Sequence, residues 1–210
     1  MSKTKSNKQD NKEERNKRHK KAMQRKKEHV DSRIAEATVD KGLLVVLTGN
    51  GKGKSSSAFG MLARSVGHGL HCGVVQFIKG LWECGEQILF EDNPLVEFHV
   101  MKTGFTWETQ DREKDIAAAE KTWERAARLL TDETFNVVIL DELTYMLTYG
   151  YLDKSMVLEA LQNRPPMQHV VVTGRNAARE LIELADTVSE IADSKHAFNA
   201  GIKVQKGIDY

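Results

Sequence analysis

Short apolar runs alternate with helix-period segments from residue 43 to near the carboxyl terminus. Most of these runs are apolar throughout rather than alternating, which is typical of strands that are covered on both faces. The runs are LLVVLT, GVVQFI, VEFHV, NVVILD and HVVVTG, followed by a weaker run, TVSEI; they occupy residues 43–48, 73–78, 96–100, 136–141, 169–174 and 187–191.

Between the runs, apolar residues recur at the spacing of one helix face. Strands that alternate with helices in this way predict an α/β fold with a mostly parallel sheet flanked by helices. Residues 41–210 are therefore expected to form one domain. The helical stripes lie on residues 59–66, 116–130, 158–161 and 181–185.

The amino-terminal region differs from this domain in charge. Residues 1–33 carry 13 Lys and Arg against 5 Asp and Glu, a net charge of +8, whereas the rest of the chain has a net charge of −7. Residues 1–21 have almost nothing apolar to bury and are expected to be a disordered basic tail. Residues 22–40 are expected to form an amphipathic helix, either as a solvated charged helix or as a mobile cover over a site.

The sequence argues against export, membrane insertion and a structural metal. No run approaches the roughly 20 apolar residues that cross a bilayer, and the first residues lack the apolar run of a secretory signal. Cys72 and Cys84 are too few for a disulfide framework, and no Cys or His spacing suggests zinc. We expect a cytoplasmic protein with reduced thiols.

The segment TGNGKGKS joins the first strand to the first helix, which is the position of a P-loop. Gly49, Gly51 and Gly53 allow backbone N–H groups to turn toward an anion. Lys54 supplies a positive charge and Ser55 a hydroxyl for Mg²⁺. Thr48 stands where the usual pattern has its first glycine. The segment predicts a P-loop fold of the RecA-like type, and the ATP-binding candidates are Gly49, Asn50, Gly51, Lys52, Gly53, Lys54, Ser55 and Ser56.

An acidic pair follows the fourth apolar run. Asp141 and Glu142 end the run VVILDE, where a P-loop protein holds or orients its metal ion. With Ser55, they are the candidate ligands for Mg²⁺ or Mn²⁺ bound with a nucleoside triphosphate.

Phosphate binding alone leaves the reaction open. A phosphotransferase or ATPase would direct an oxygen nucleophile to the γ-phosphorus. Attack at C5′ would instead expel the whole triphosphate, whose growing charge the same loop would stabilise. A third hypothesis is an ATPase acting on nucleic acid through the basic tail, although the acidic main domain argues against nucleic-acid binding.

Eight segments of the sequence, which include the phosphate loop and the acidic pair, together resemble a known family. They are GNGKGKSSSAFG, VGHG, GVVQFIKG, GFTWETQ, VVILDELTYM, VVVTGRN, ADTVSEI and KHAFNAGIKVQKGIDY. In order and spacing they resemble the P-loop type of ATP:corrinoid adenosyltransferase from the bacterial cobalamin pathway. The resemblance extends from about residue 30 to Tyr210, and the family's own loop also lacks the first glycine.

The resemblance implies that Co(I) of a reduced corrinoid attacks C5′ of ATP, giving an adenosylated corrinoid and triphosphate. Lys54 would act in catalysis. Phe105 and Trp107 match aromatic residues that cover the lower face of the corrin and displace its axial base, so they too are catalytic candidates. Arg64 and Arg175 are weaker candidates for corrinoid binding, and His196 is expected to be structural. The resemblance further implies a homodimer, an amino-terminal helix over the bound corrinoid, and a reduced flavoprotein as transient electron donor.

Overall fold

The computed structural model describes residues 3–78, 84–101 and 111–210. The chain divides into two compact units, Met1–Asp40 and Lys41–Tyr210.

The first unit contains helix α1, Lys3–Glu36. Its sequence has no glycine or proline and is rich in Lys, Arg, Glu and Gln, which are good helix formers. Ion pairs one turn apart, such as Lys27 with Asp31, add a little stability. These local preferences act along the whole segment, so the helix begins at Lys3. The helix thus extends over residues for which a disordered basic tail was expected, and the boundary near residue 21 stays a prediction.

The second unit contains a six-stranded sheet in the part of the chain that is described. Each expected strand is present within two residues of its predicted bounds, including the weak last one. All paired strands run parallel, in the order β3-β2-β4-β5-β1-β6. The strands are β1 Leu44–Thr48, β2 Cys72–Gln76, β3 Val96–Val100, β4 Val137–Asp141, β5 His169–Thr173 and β6 Thr187–Glu190.

Helices cover both faces of this sheet. Two of them begin at an aspartate whose side chain accepts a backbone N–H of the first turn: Asp111 from Lys114, and Asp153 from Met156. The helices are α2 Lys54–Gly67, α3 Gly85–Phe90, α4 Arg112–Thr131, α5 Leu143–Thr148, α6 Lys154–Gln162 and α7 Arg179–Leu184. A short 3₁₀ helix, Phe198–Ala200, follows β6.

Strands β1, β2, β4 and β5 bury apolar side chains on both faces, as their continuous apolar runs predict. Alternate residues such as Val46 and Val172 pack with α4, α5, α6 and α7. Their neighbours Leu47 and Val171 pack on the opposite face with Leu62 of α2. The fold is therefore a three-layer α/β/α domain with a P-loop, and the predicted fold class is confirmed.

The strand order determines where functional side chains can meet. Strand β5 lies between β1 and β4, and all three strands end at the same edge because they are parallel. Loops at the carboxyl edge of a parallel sheet commonly form ligand sites. The phosphate loop after β1, the acidic pair after β4 and the polar ends of β2 and β5 converge there.

Candidate functional site

The phosphate loop has a backbone that requires glycine. Gly49 and Gly53 have φ angles of 98° and 121°, which side-chain-bearing residues rarely adopt. The N–H of Gly51 donates to the carbonyl of Ile191 at 2.7 Å. A Cβ atom on Gly51 would lie 2.3 Å from the carbonyl oxygen of Ala192, so the segment after β6 supports the loop at a distance that only glycine permits.

Thr48, which stands at the position of the missing glycine, makes a hydrogen bond with another loop. It is the last residue of β1, and its Oγ1 accepts the backbone N–H of Ala177 at 3.3 Å. The bond connects the start of the phosphate loop to the segment after β5. The departure from the usual pattern therefore leaves the strand, loop and helix arrangement in place.

Lys54 is folded back over this loop. Its side chain is buried, with 7% exposure, and its Nζ donates to the carbonyl of Gly51 at 2.8 Å. Burial lowers the pKa of Lys54, and the nearby charge of Glu142 opposes that shift. The ammonium group is thus placed between the loop and the acidic pair.

Asp141 is held by three donors from three different elements. Its Oδ1 accepts from Thr173 Oγ1 at 2.7 Å, and its Oδ2 accepts from Gln76 Nε2 at 3.1 Å. Ser55 also donates a hydrogen bond to this carboxylate. Burial raises the pKa of Asp141, while these donors act against the shift. The carboxylate therefore links the first turn of α2 to the ends of β2 and β5.

Glu142 has the geometry of a residue held for function. Its φ of 59° is unusual for a residue with a side chain, and its N–H donates to Thr173 Oγ1 at 2.9 Å. Its buried Oε2 has no hydrogen-bond partner among the described residues. Burial, and next the charge of Asp141, raise the pKa of Glu142 to about 7. A buried carboxylate oxygen without a donor is a suitable ligand for a hard cation.

These groups surround a cavity of about 620 Å³. The structure brings the predicted residues from Asn50 to Ser56 together with Asp141, Glu142 and Arg175 in its lining. Gly49 shapes the loop from just outside the lining. Arg64 is exposed on α2 and does not line the cavity, so its role in corrinoid binding stays a prediction.

Two of the predicted catalytic residues and the predicted metal ligands remain to be placed. Phe105 and Trp107 lie outside the described residues. Among the residues that are described, no cluster of three or more His, Cys, Asp or Glu side chains could hold a metal by itself. Ser55, Asp141 and Glu142, the predicted metal ligands, line the same cavity.

Several residues in and around this cavity are not among those predicted from the sequence. Gln76 lines the cavity and Thr173 supports Asp141. Thr173 is a polar residue near the end of an apolar run, a signal like the one that identified Asp141, whereas Gln76 lies inside the run at residues 73–78 and ends β2 only in the structure. His196, which was expected to be structural, lines the cavity. Tyr145 and residues 207–210 also line it; only the fold brings these distant parts of the chain to the phosphate loop.

Comparison with known proteins connects this geometry to a reaction. A family model described as ATP:corrinoid adenosyltransferase BtuR/CobO/CobP matches residues 40–210. The chain belongs to this family. It is 56% identical to a corrinoid adenosyltransferase of Pseudomonas aeruginosa, over 94% of this chain and 98% of that protein. It is 54% identical to a corrinoid adenosyltransferase of Escherichia coli K12, over 92% and 98% of the two chains.

Family membership decides among the three hypotheses. The enzyme is an ATP:corrinoid adenosyltransferase, rather than a phosphotransferase or a nucleic-acid-dependent ATPase.

A search of solved structures finds similarity to the flagellar accessory protein FlaH from Methanocaldococcus jannaschii. The TM-score between that structure and this chain is 0.48, at 10% sequence identity, over 77% of this chain and 76% of that one. Within the described residues, no helix is long and apolar enough to cross a membrane.

Proposed function

We propose that the cavity binds ATP through its triphosphate and leaves C5′ accessible to the corrinoid cobalt. The two electrons of Co(I) form the cobalt–carbon bond. The C5′–O bond breaks, and its electron pair leaves with the triphosphate oxygen. The convergence of Lys54 and Ser55 with Asp141 and Glu142 at one edge of the sheet is the observation that carries this proposal.

The phosphate loop stabilises the leaving group in this proposal. Charge grows on the triphosphate as the C5′–O bond breaks, and groups fixed in advance stabilise such charge most effectively. Lys54 is already buried beside the loop. In the ATP complex, the Lys54 ammonium exchanges the Gly51 carbonyl for phosphate oxygens.

Mg²⁺ or Mn²⁺ fits the same edge of the cavity. The hydroxyl of Ser55 and the unpartnered carboxylate oxygen of Glu142 are hard oxygen ligands of the kind these ions prefer. Asp141 supports the site by accepting a hydrogen bond from Ser55. When bound, the ion neutralises part of the triphosphate charge. Because so few protein ligands are available, the phosphates and water supply the rest of its coordination.

We assign the corrinoid side of the reaction by family resemblance. Phe105 and Trp107 cover the lower face of the corrin, where apolar rings offer no lone pair to cobalt. Arg64 and Arg175 contact the corrinoid. A reduced flavoprotein supplies the electron that converts Co(II) to Co(I). The enzyme works as a cytoplasmic homodimer, with the part of α1 from residue 22 onward covering the bound corrinoid and residues 1–21 as an accessory extension.

A matched pair of serine variants tests the metal and nucleotide site. Ser55→Ala removes the proposed ligand, whereas Ser57→Ala removes an exposed hydroxyl that does not line the cavity. Electron paramagnetic resonance of Mn²⁺ with ATP should show weaker ternary binding in Ser55→Ala, and turnover should fall with it. Ser57→Ala should resemble the unmodified enzyme. Equal Mn²⁺–ATP binding by both variants would contradict the assignment of Ser55.

A further inference from the structure

The last six residues form a turn that is held by its own polar bonds. The backbone N–H of Gln205 donates to Asp209 Oδ2 at 2.7 Å. In return, the N–H of Asp209 donates to the Gln205 carbonyl at 2.8 Å, and the N–H of Gly207 donates to the carbonyl of Tyr210 at 2.8 Å. Ile208 is 68% exposed, so burial of its side chain does not hold the turn in place.

This carboxyl-terminal turn, residues 205–210, contacts the phosphate loop through an ion pair. Asp209 Oδ1 lies 2.7 Å from Lys52 Nζ, with side-chain exposures of 24% and 41%. Residues 207–210 line the same cavity as the loop. The hydrogen bond from Lys52 is also the main reason why the pKa of Asp209 is lowered. The two oxygens of one carboxylate therefore close the turn and attach it to the loop.

We propose that the carboxyl-terminal turn is a wall of the ATP site, and that Asp209 is a positioning residue that fixes Lys52 for the triphosphate. This inference rests on the proposed placement of ATP in the cavity. A lysine ammonium has three donors, so Lys52 can bind Asp209 and a phosphate oxygen at the same time. The Asp209 charge is already paired, and its second oxygen is occupied by Gln205. ATP binding therefore does not have to break the attachment.

The test measures ATP affinity in a double-mutant cycle. Asp209→Asn removes the negative charge of the Asp209–Lys52 ion pair, and Lys52→Ala removes the positive one. Exposed ion pairs contribute up to about 1 kcal/mol, so Asp209→Asn should weaken ATP binding by roughly three- to fivefold in calorimetric titration. Lys52→Ala should weaken it more, because it also removes the contact with the phosphate. The double variant should weaken ATP binding no more than Lys52→Ala does, because Asp209 acts only through Lys52.

Two controls separate positioning from general damage. Asp193→Asn removes an exposed carboxylate of the same carboxyl-terminal region and should leave ATP affinity unchanged. The melting temperature of Asp209→Asn should stay close to that of the unmodified enzyme, because the turn buries little apolar surface. In turnover, the loss should appear in KM for ATP and leave KM for the corrinoid unaffected.

The outcomes also separate this inference from the function on which it rests. Unchanged or tighter ATP binding by Asp209→Asn, or additive effects in the double variant, would overturn the positioning role of Asp209. If Lys54→Ala weakens ATP binding while Asp209→Asn does not, ATP lies in the cavity and only the role of the turn is wrong. If Lys54→Ala leaves ATP binding intact, the placement of ATP fails, and the role of the turn fails with it.

Discussion

Replacing Glu142 by glutamine should make the ligand-free protein more stable. The folded protein raises the pKa of Glu142 from an ordinary 4.5 to about 7. At 1.36 kcal/mol per pH unit, ionising this buried carboxyl costs on the order of 3 kcal/mol. Glutamine keeps the shape without the charge, although its amide is also buried. We therefore expect Glu142→Gln to raise the free energy of unfolding by about 1–3 kcal/mol near pH 8.

The raised pKa of Glu142 also determines how the stability difference between the two proteins changes with pH. Between pH 4.5 and about 7 the folded state binds more protons at Glu142 than the unfolded state does. The unmodified protein therefore loses stability as pH rises through this window, and regains it as pH falls. Glu142→Gln lacks this dependence, so the difference between the two proteins should shrink from about pH 8 toward about pH 5.

Urea unfolding at several pH values measures this difference directly. Glu133→Gln, which neutralises an exposed carboxylate of the same unit, is the matched control and should change stability little at any pH. MgATP should protect the unmodified protein from unfolding more than it protects Glu142→Gln, because that variant lacks a cation ligand. A Glu142→Gln protein that is less stable than the unmodified one at about pH 8, or a difference that does not vary with pH, would refute the reasoning.

Further predictions concern the loop, the corrinoid side and the tail. Lys54→Ala should lower kcat/KM by at least about 100-fold, or roughly 3 kcal/mol of transition-state stabilisation, in steady-state assays. Gly51→Ala should weaken ATP binding, since its Cβ would meet the Ala192 carbonyl; Gly60→Ala, in open space on α2, should instead stabilise the protein by about 0.5–1 kcal/mol in urea unfolding. Trp107→Ala should lose activity with Co(II) corrinoid and a flavoprotein reductant but retain more of it with chemically generated Co(I); equal loss under both conditions would contradict its role. Deleting residues 1–20 should leave turnover largely intact, and a collapse of turnover would show that this segment is required.

The fold was predictable because its signals are local and repeated. Continuous apolar runs such as residues 136–141 mark strands that are buried on both faces, and β4 occupies Val137–Asp141. The exposed last strand, β6, has a weaker pattern because all four of its residues are exposed. In α1, helix formers and ion pairs act without burial, so a segment poor in apolar residues does not by its sequence distinguish a solvated helix from a disordered tail.

The site was predictable only where residues lie close together in the sequence or end a strong strand. The loop from Gly49 to Ser55 and the pair after β4 have such signals. The contact of Asp209 with Lys52 joins residues that are far apart along the chain, and no periodic pattern in the sequence indicates it. The unpartnered oxygen of Glu142 is likewise a property of packing, which a list of acidic residues does not show.

Phosphorus-31 nuclear magnetic resonance of a single turnover tests the proposed chemistry most directly. The enzyme is incubated with MgATP and chemically reduced cobalamin, and the light-sensitive cobalt–carbon product is followed by its absorbance. If the loop holds the triphosphate as the leaving group, intact triphosphate should appear in equal amount with the adenosylated corrinoid. ADP and orthophosphate formed in step with turnover would instead place bond cleavage at the γ-phosphorus and contradict the proposed role of the loop.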